Sequence, residues 1–216
     1  MDDTQRMIAM LAEMRRQMNG AVAESMTEHG ICYGLNYGVS IPTVRSIARR
    51  EQRSHSFAKY LYSQQVRELR LAACHIAEPE AVTLEDFSFW SRGITTMELA
   101  EELAFGLLSH IAAIDSLVGI WCSESSELIA YCALMAAARS QSVDAGVAVL
   151  GVECAVKRFR SSRIIGCGAA AALSHLIDRD GRPAEEMTAA LLDRMPPSET
   201  AQYIADEIGW RLSYCG

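Results

Sequence analysis

The sequence predicts an all-α fold, an α-α superhelix of stacked helix pairs, on three observations. Apolar residues recur at three- and four-residue spacing along most of the chain, with no strand-like alternation and no hairpin dipeptide flanked by strands. The composition suits helix-on-helix packing: 50% of residues are hydrophobic, only 7% are aromatic, and five prolines interrupt 216 residues rich in Ala, Leu, Met, Arg and Glu. The second helices of successive pairs are expected to begin near Val66, Met97, Ser126 and Arg163, a spacing of roughly 30 to 37 residues that falls in the range of helical repeats. One such pair cannot bury its own apolar face, so pairs stack. The expected architecture is therefore a curved solenoid of HEAT/ARM-like repeats with a concave face. It is expected as one domain over 1–216, with an N-terminal helix over 1–28, repeats over 41–180 and C-terminal helices over 183–216.

The elements follow in order. A first amphipathic helix is expected from Asp2 to Glu28, with Met7, Leu11, Met14 and Met18 on one stripe. The stretch ICYGLNYGVSIP is the least helical, and Tyr33 and Tyr37 in it are expected as exposed aromatics able to stack on a base. Ser40 caps the next helix and Pro42 occupies its first turn. Short helices over 57–62 and 66–77 follow, and Pro79 stops the second. Thr83 with Asp86, and Thr95 with Glu98, read as capping boxes. The second opens a long apolar helix through Leu99, Leu103, Leu107 and Ile111. Further helices are expected around 117–121, 126–139, 143–156 and 163–177, then one to Met195 after Gly181 and Pro183, and a last one to about Leu212.

Charge is uneven. The net charge is −7, yet residues 1–75 carry +3, 76–130 carry −9, 131–182 carry +3 and 183–216 carry −4. An acidic total argues against indiscriminate nucleic-acid binding by the whole surface. The densest basic run is Lys157, Arg158, Arg160 and Arg163 around Phe159, a candidate phosphate-binding turn with Ser161 and Ser162 as further donors. Arg45, Arg49, Arg50 and Arg53 form a weaker cluster. The five histidines share no metal-ligand spacing, and no CxxC pair occurs among the seven cysteines. No metal or other cofactor is expected. Cys74, Cys132, Cys154 and Cys167 are expected as small core residues, and Trp90, Trp121 and Trp210 as packing residues. Gly166 and Gly168 are expected to allow close helix packing. With no export-like or membrane-length apolar run, the expected location is cytoplasmic.

Two motifs add a resemblance. Gly38, Val39, Pro42, Arg45, Ile47 and Ala48 match a Gly-Val-x-x-Pro-x-x-Arg-x-Ile-Ala pattern, and Arg67-Glu68 opens an alanine-rich helix some ~20 residues on. Together they resemble the DNA alkylation repair family, alkylpurine DNA glycosylases of HEAT-like repeats. The resemblance implies duplex DNA on the concave face and hydrolysis of the N-glycosidic bond of a cationic alkylpurine. A carboxylate and aromatic faces would stabilise the oxocarbenium-like state. In the family the active-site helix reads Trp-Asp-x-x-Asp. Here the matching stretch is Met97-Glu98-Leu99-Ala100-Glu101, which makes Glu101, with Glu98, the implied catalytic carboxylate. The family's arginine position falls near Tyr131, and the helix that should supply a second aromatic reads Ile164-Ile165-Gly166-Cys167-Gly168-Ala169. Lys157, Arg158, Arg160, Arg163, Arg45, Arg49 and Tyr37 are the expected DNA contacts. The partner so implied is double-stranded DNA. The alternative is a non-catalytic scaffold whose acidic middle binds a basic protein segment.

Overall fold

The computed structural model describes residues 2–213, among which every regular element is helical. Trp210 was expected to pack, but its side chain lies outside the described residues. The helices cluster into two compact units, 1–82 and 83–216.

The first unit holds α1 (Asp3–Arg16), α2 (Gly20–Glu28), α3 (Ile41–Ala48), α4 (His55–Tyr62) and α5 (Arg67–Ile76). The single helix expected over the first 28 residues is two. Asn19 is extended at the break, its side chain accepts from the Val22 N–H, and its own N–H donates to the Tyr37 carbonyl at 2.8 Å. An Asn-Gly step favours such a break. α2 buries none of its residues. α1, through Met10 and Met14, packs on α3 and α4, and both of those pack on α5. Ser40 caps α3 and Pro42 sits in its first turn, as the sequence predicts.

Buried Arg67 and Glu68 hold the glycine-rich loop against α5. The Glu68 carboxylate accepts from the Tyr37 and Val39 N–H groups at 3.2 Å, and Arg67 Nη1 donates to the Val39 carbonyl at 2.8 Å and to Glu68 at 3.0 Å. Gly38 lies between those anchors at φ 67°, where a Cβ would overlap the Asn19 carbonyl. The left-handed φ and the close approach together require glycine. The two motifs that carry the family resemblance thus meet in space, and Arg67 and Glu68 are structural.

The second unit begins with a 3₁₀ turn, Leu84–Asp86, closed by the expected capping box of Thr83 and Asp86. It continues with α6 (Phe87–Arg92), α7 (Met97–Gly106), α8 (Ile114–Trp121), α9 (Glu127–Ala137), α10 (Ala145–Arg158), α11 (Arg163–Asp180), α12 (Arg182–Arg194) and α13 (Glu199–Ser213). Both ends of α7 differ from expectation. Thr96, not Thr95, caps α7 by accepting from the Leu99 N–H at 3.2 Å. α7 also stops at Gly106, and Leu108–His110 forms a separate 3₁₀ turn. A glycine near the last turn lowers the cost of leaving the helix there.

Two layers result. α7, α9, α11 and α13 pack in succession in one layer, and α8, α10 and α12 in the other. The starts at Arg67, Met97, Glu127, Arg163 and Glu199 continue the repeat one pair beyond the expected end at 180. This is the helical-pair arrangement of HEAT-like repeats. The core is aliphatic around buried Trp90 and Trp121, with Phe87 edge-on to Trp121 at 6.0 Å.

Candidate functional site

The layer of α7, α9, α11 and α13 brings one residue per helix into register. Glu101, Tyr131, Cys167 and Tyr203 are each the fifth residue of α7, α9, α11 and α13. Side chains at equivalent positions of stacked helices become neighbours, and here they bond in pairs. The Tyr131 hydroxyl donates to Glu101 Oε1 at 2.7 Å, and the Cys167 thiol donates to the Tyr203 hydroxyl at 3.2 Å. Between the pairs lie the α11 glycines. A Cβ on Gly168 would stand 3.0 Å from the Tyr131 ring, and one on Gly166 would stand 2.7 Å from the Tyr203 ring. The glycines therefore do allow close packing, and what approaches is two phenol rings.

This arrangement defines what Glu101 can do. It is half-buried in α7, whose start also carries exposed Met97. Burial first, and then the hydrogen bond to Glu101, push the Tyr131 phenol far above its ordinary value, so it remains a neutral donor. A neutral phenol orients the carboxylate without cancelling its charge, as the arginine implied at that position would. One turn further along α7, Phe105 is half-buried and carries the Arg139 guanidinium 4.1 Å from its ring centre. Tyr131 is 3% exposed with its ring against α11, and Trp90 and Trp121 are in the core. Glu98 and Glu102 are both engaged by neighbours, and Glu102 is buried.

The basic run lies where α10 ends and α11 begins. Lys157 pairs with Glu153 at 2.7 Å, and Glu153 also receives Arg194 at 2.7 Å. These two cations hold the Glu153 carboxyl below its usual value. Arg160 donates to the Pro197 carbonyl at 2.8 Å. Arg158 and Arg163 are exposed and make no ion pair among the described residues; Arg163 lies 5.8 Å from the centre of the Tyr203 ring. The turn is held by Thr200 of α13, whose hydroxyl accepts from the Ser162 N–H at 2.8 Å and donates to the Phe159 carbonyl at 2.6 Å.

In the first unit, Arg49 is exposed at the end of α3, Arg45 is half-buried and engaged, and Arg50 pairs with Glu13. Tyr37 corrects an expectation. Instead of offering a ring to a base it is buried, with Arg15 Nε donating to its hydroxyl at 3.0 Å. The Glu68 anchor, thirty-one positions away, draws its backbone inward. Cys154 is exposed and Cys167 half-buried, whereas Cys74 and Cys132 are buried as expected. Burial pushes the Cys122 thiol up to about 12 and Cys132 beyond that. Among the described residues no three His, Cys, Asp or Glu side chains gather to hold a metal, and no helix is long and apolar enough to cross a membrane. Sequence reasoning misses Glu199 and Tyr203, although extending the repeat period from Arg163 would place both.

The fold is that of a HEAT-like repeat protein. The family model described as DNA alkylation repair enzyme matches residues 10–144, more than half of the chain, and the protein belongs to that family. A solved structure from a family of proteins related to the HEAT-like repeat DNA glycosylases, with affinity for branched DNA structures, has the same fold. It is 16% identical, has a TM-score of 0.68, and the match covers 98% of this chain and 95% of that one. No curated protein matches the chain.

Proposed function

We propose that this protein binds DNA through its sugar-phosphate backbone, using the basic turn between α10 and α11, and that it does so without efficient base excision. The observation that carries the reading is the pair of exposed guanidiniums, Arg158 and Arg163, which have no carboxylate partner among the described residues of a unit holding 10 basic and 18 acidic residues. In so acidic a unit, unpaired arginines on a rigid turn are available to phosphate, which the guanidinium fork recognises well. Family membership and the fold neighbour's affinity for branched DNA support the same reading. The acidic remainder repels phosphates, so binding is expected to be strong only at low ionic strength.

Excision is disfavoured by the surroundings of Glu101. An oxocarbenium-like state needs its carboxylate within a shell that holds the base and sugar. Glu101 is instead tied to Tyr131, with Met97 where the family has an aromatic. The test uses duplex DNA carrying N7-methylguanine. Base release is expected at the uncatalysed rate, while the protein still retards the duplex at low salt. Release well above that rate, abolished by Glu101→Gln, would contradict the excision half of the proposal. No retardation at low salt would contradict the binding half.

A further inference from the structure

A cavity of about 220 Å³ opens beside the basic turn, lined by Ser161, Ser162, Arg163, Glu199, Thr200 and Tyr203. Its base is already consumed by structure. Thr200 bridges the turn, and the Ser162 hydroxyl accepts from the Ile165 N–H at 3.1 Å. Its walls are not. Arg163 and Glu199 line the same space, both exposed, yet they form no ion pair, and each has no other charged partner among the described residues. The Ser161 hydroxyl is exposed beside them, and the half-exposed Tyr203 ring forms the side wall. Tyr203 cannot readily move, because Gly166 and the Cys167 thiol hold it on α11.

These walls specify a ligand. A bare phosphate would satisfy Arg163 and Ser161 but be repelled by Glu199. A simple cation would meet the reverse conflict. A group carrying an anion at one end, a flat face, and N–H donors at the other satisfies all four side chains. The volume equals that of roughly seven waters at about 30 Å³ each, enough for a nucleobase with part of its sugar. We propose that this cavity receives one unpaired nucleotide of a branched or single-stranded DNA. Its phosphate lies on Arg163 and Ser161, its base against Tyr203, and Glu199 accepts a hydrogen from an exocyclic amine. The inference rests on the DNA-binding reading and adds what distinguishes a branch from plain duplex. Base–aromatic stacking alone gives roughly 5- to 150-fold per base.

The test measures anisotropy of the full chain with two labelled probes: a blunt duplex, and the same duplex bearing a short unpaired adenine flap. The flap is expected to bind about tenfold more tightly. Tyr203→Ala is expected to remove that preference while leaving the blunt-duplex affinity within about twofold. Glu199→Gln is expected to reduce the preference for an adenine flap over a thymine flap, since thymine has no exocyclic amine. Tyr203→Leu, which keeps bulk against Gly166, serves as the second variant should the alanine variant melt early, and it is expected to lose the preference likewise. Equal affinity for flap and duplex in the parent chain, or a preference surviving Tyr203→Leu, would overturn the cavity while leaving the DNA-binding reading standing. Binding of neither probe at low salt would overturn both.

Discussion

Glu68 shows how a charged side chain can be indispensable without touching a ligand. Its carboxylate is fully buried and accepts from two loop N–H groups and Arg67. Glu68→Ala removes the carboxylate partner of the buried Arg67 guanidinium and the acceptor of both amides, and breaking a buried pair typically costs about 3–5 kcal/mol. Urea unfolding is expected to show a loss of that order; a change below about 1 kcal/mol would mean the loop is held by other interactions. The cysteines make a second residue-scale prediction. With the Cys122 thiol pushed up to about 12 and Cys132 further, neither supplies thiolate near pH 8. Iodoacetamide is expected to modify exposed Cys32 and Cys154 in the folded protein, and Cys122 and Cys132 only after denaturation. At this scale the sequence is partly legible. Glu101 and the two α11 glycines can be singled out, because the family pattern and local spacing mark them. Tyr37 reads as exposed because a glycine-rich loop ordinarily lies at the surface, and only the distant Glu68 reverses that. The Tyr131–Glu101 bond is invisible for the same reason: it depends on the register between two helices.

At the scale of elements, local chemistry sets most boundaries. Ser40, Thr83 with Asp86, and Pro42 act where the sequence places them. The differences fall where two candidates compete, as with Thr95 and Thr96, or where a break depends on tertiary bonding, as at Asn19. The repeat spacing is readable because each helix of the α7, α9, α11 and α13 layer must present the same face to its neighbour. The final pair does not read as a repeat, because Pro196 and Pro197 look like punctuation after a domain rather than a connection within one. The α10–α11 region also carries a pH dependence. Arg194 and Lys157 lower the Glu153 carboxyl in the folded state. A depressed carboxyl contributes stability that is present above its unfolded value, about 4.3, and lost as the pH falls through the folded one. The Glu153→Gln variant is therefore expected to melt lower than the parent at pH 7 but to converge with it under acidic conditions. A constant gap across that range would exclude the linkage. The effect is expected to be small, since Lys157 and Arg194 are well solvated.

For the whole molecule, composition and family pull in different directions. Residues 1–82 hold 10 basic and 9 acidic side chains, residues 83–216 hold 10 and 18, and the family is one of DNA repair enzymes. The proposed resolution is local: a few unpaired arginines on a rigid turn bind phosphate while the acidic surface keeps affinity modest. Fold and family are readable from two short motifs and a period. The activity is not, because the same α7 carboxylate has different uses with an aromatic shell and without one.

The most direct test of DNA binding by the basic turn is a salt titration of duplex affinity for the parent chain and for Arg158→Ala/Arg163→Ala. The parent is expected to bind at low salt with log K falling linearly against log salt. The double variant is expected to bind more weakly, with a slope shallower by about one for each phosphate that is no longer neutralised. An unchanged affinity and slope in the double variant would contradict DNA binding by this turn.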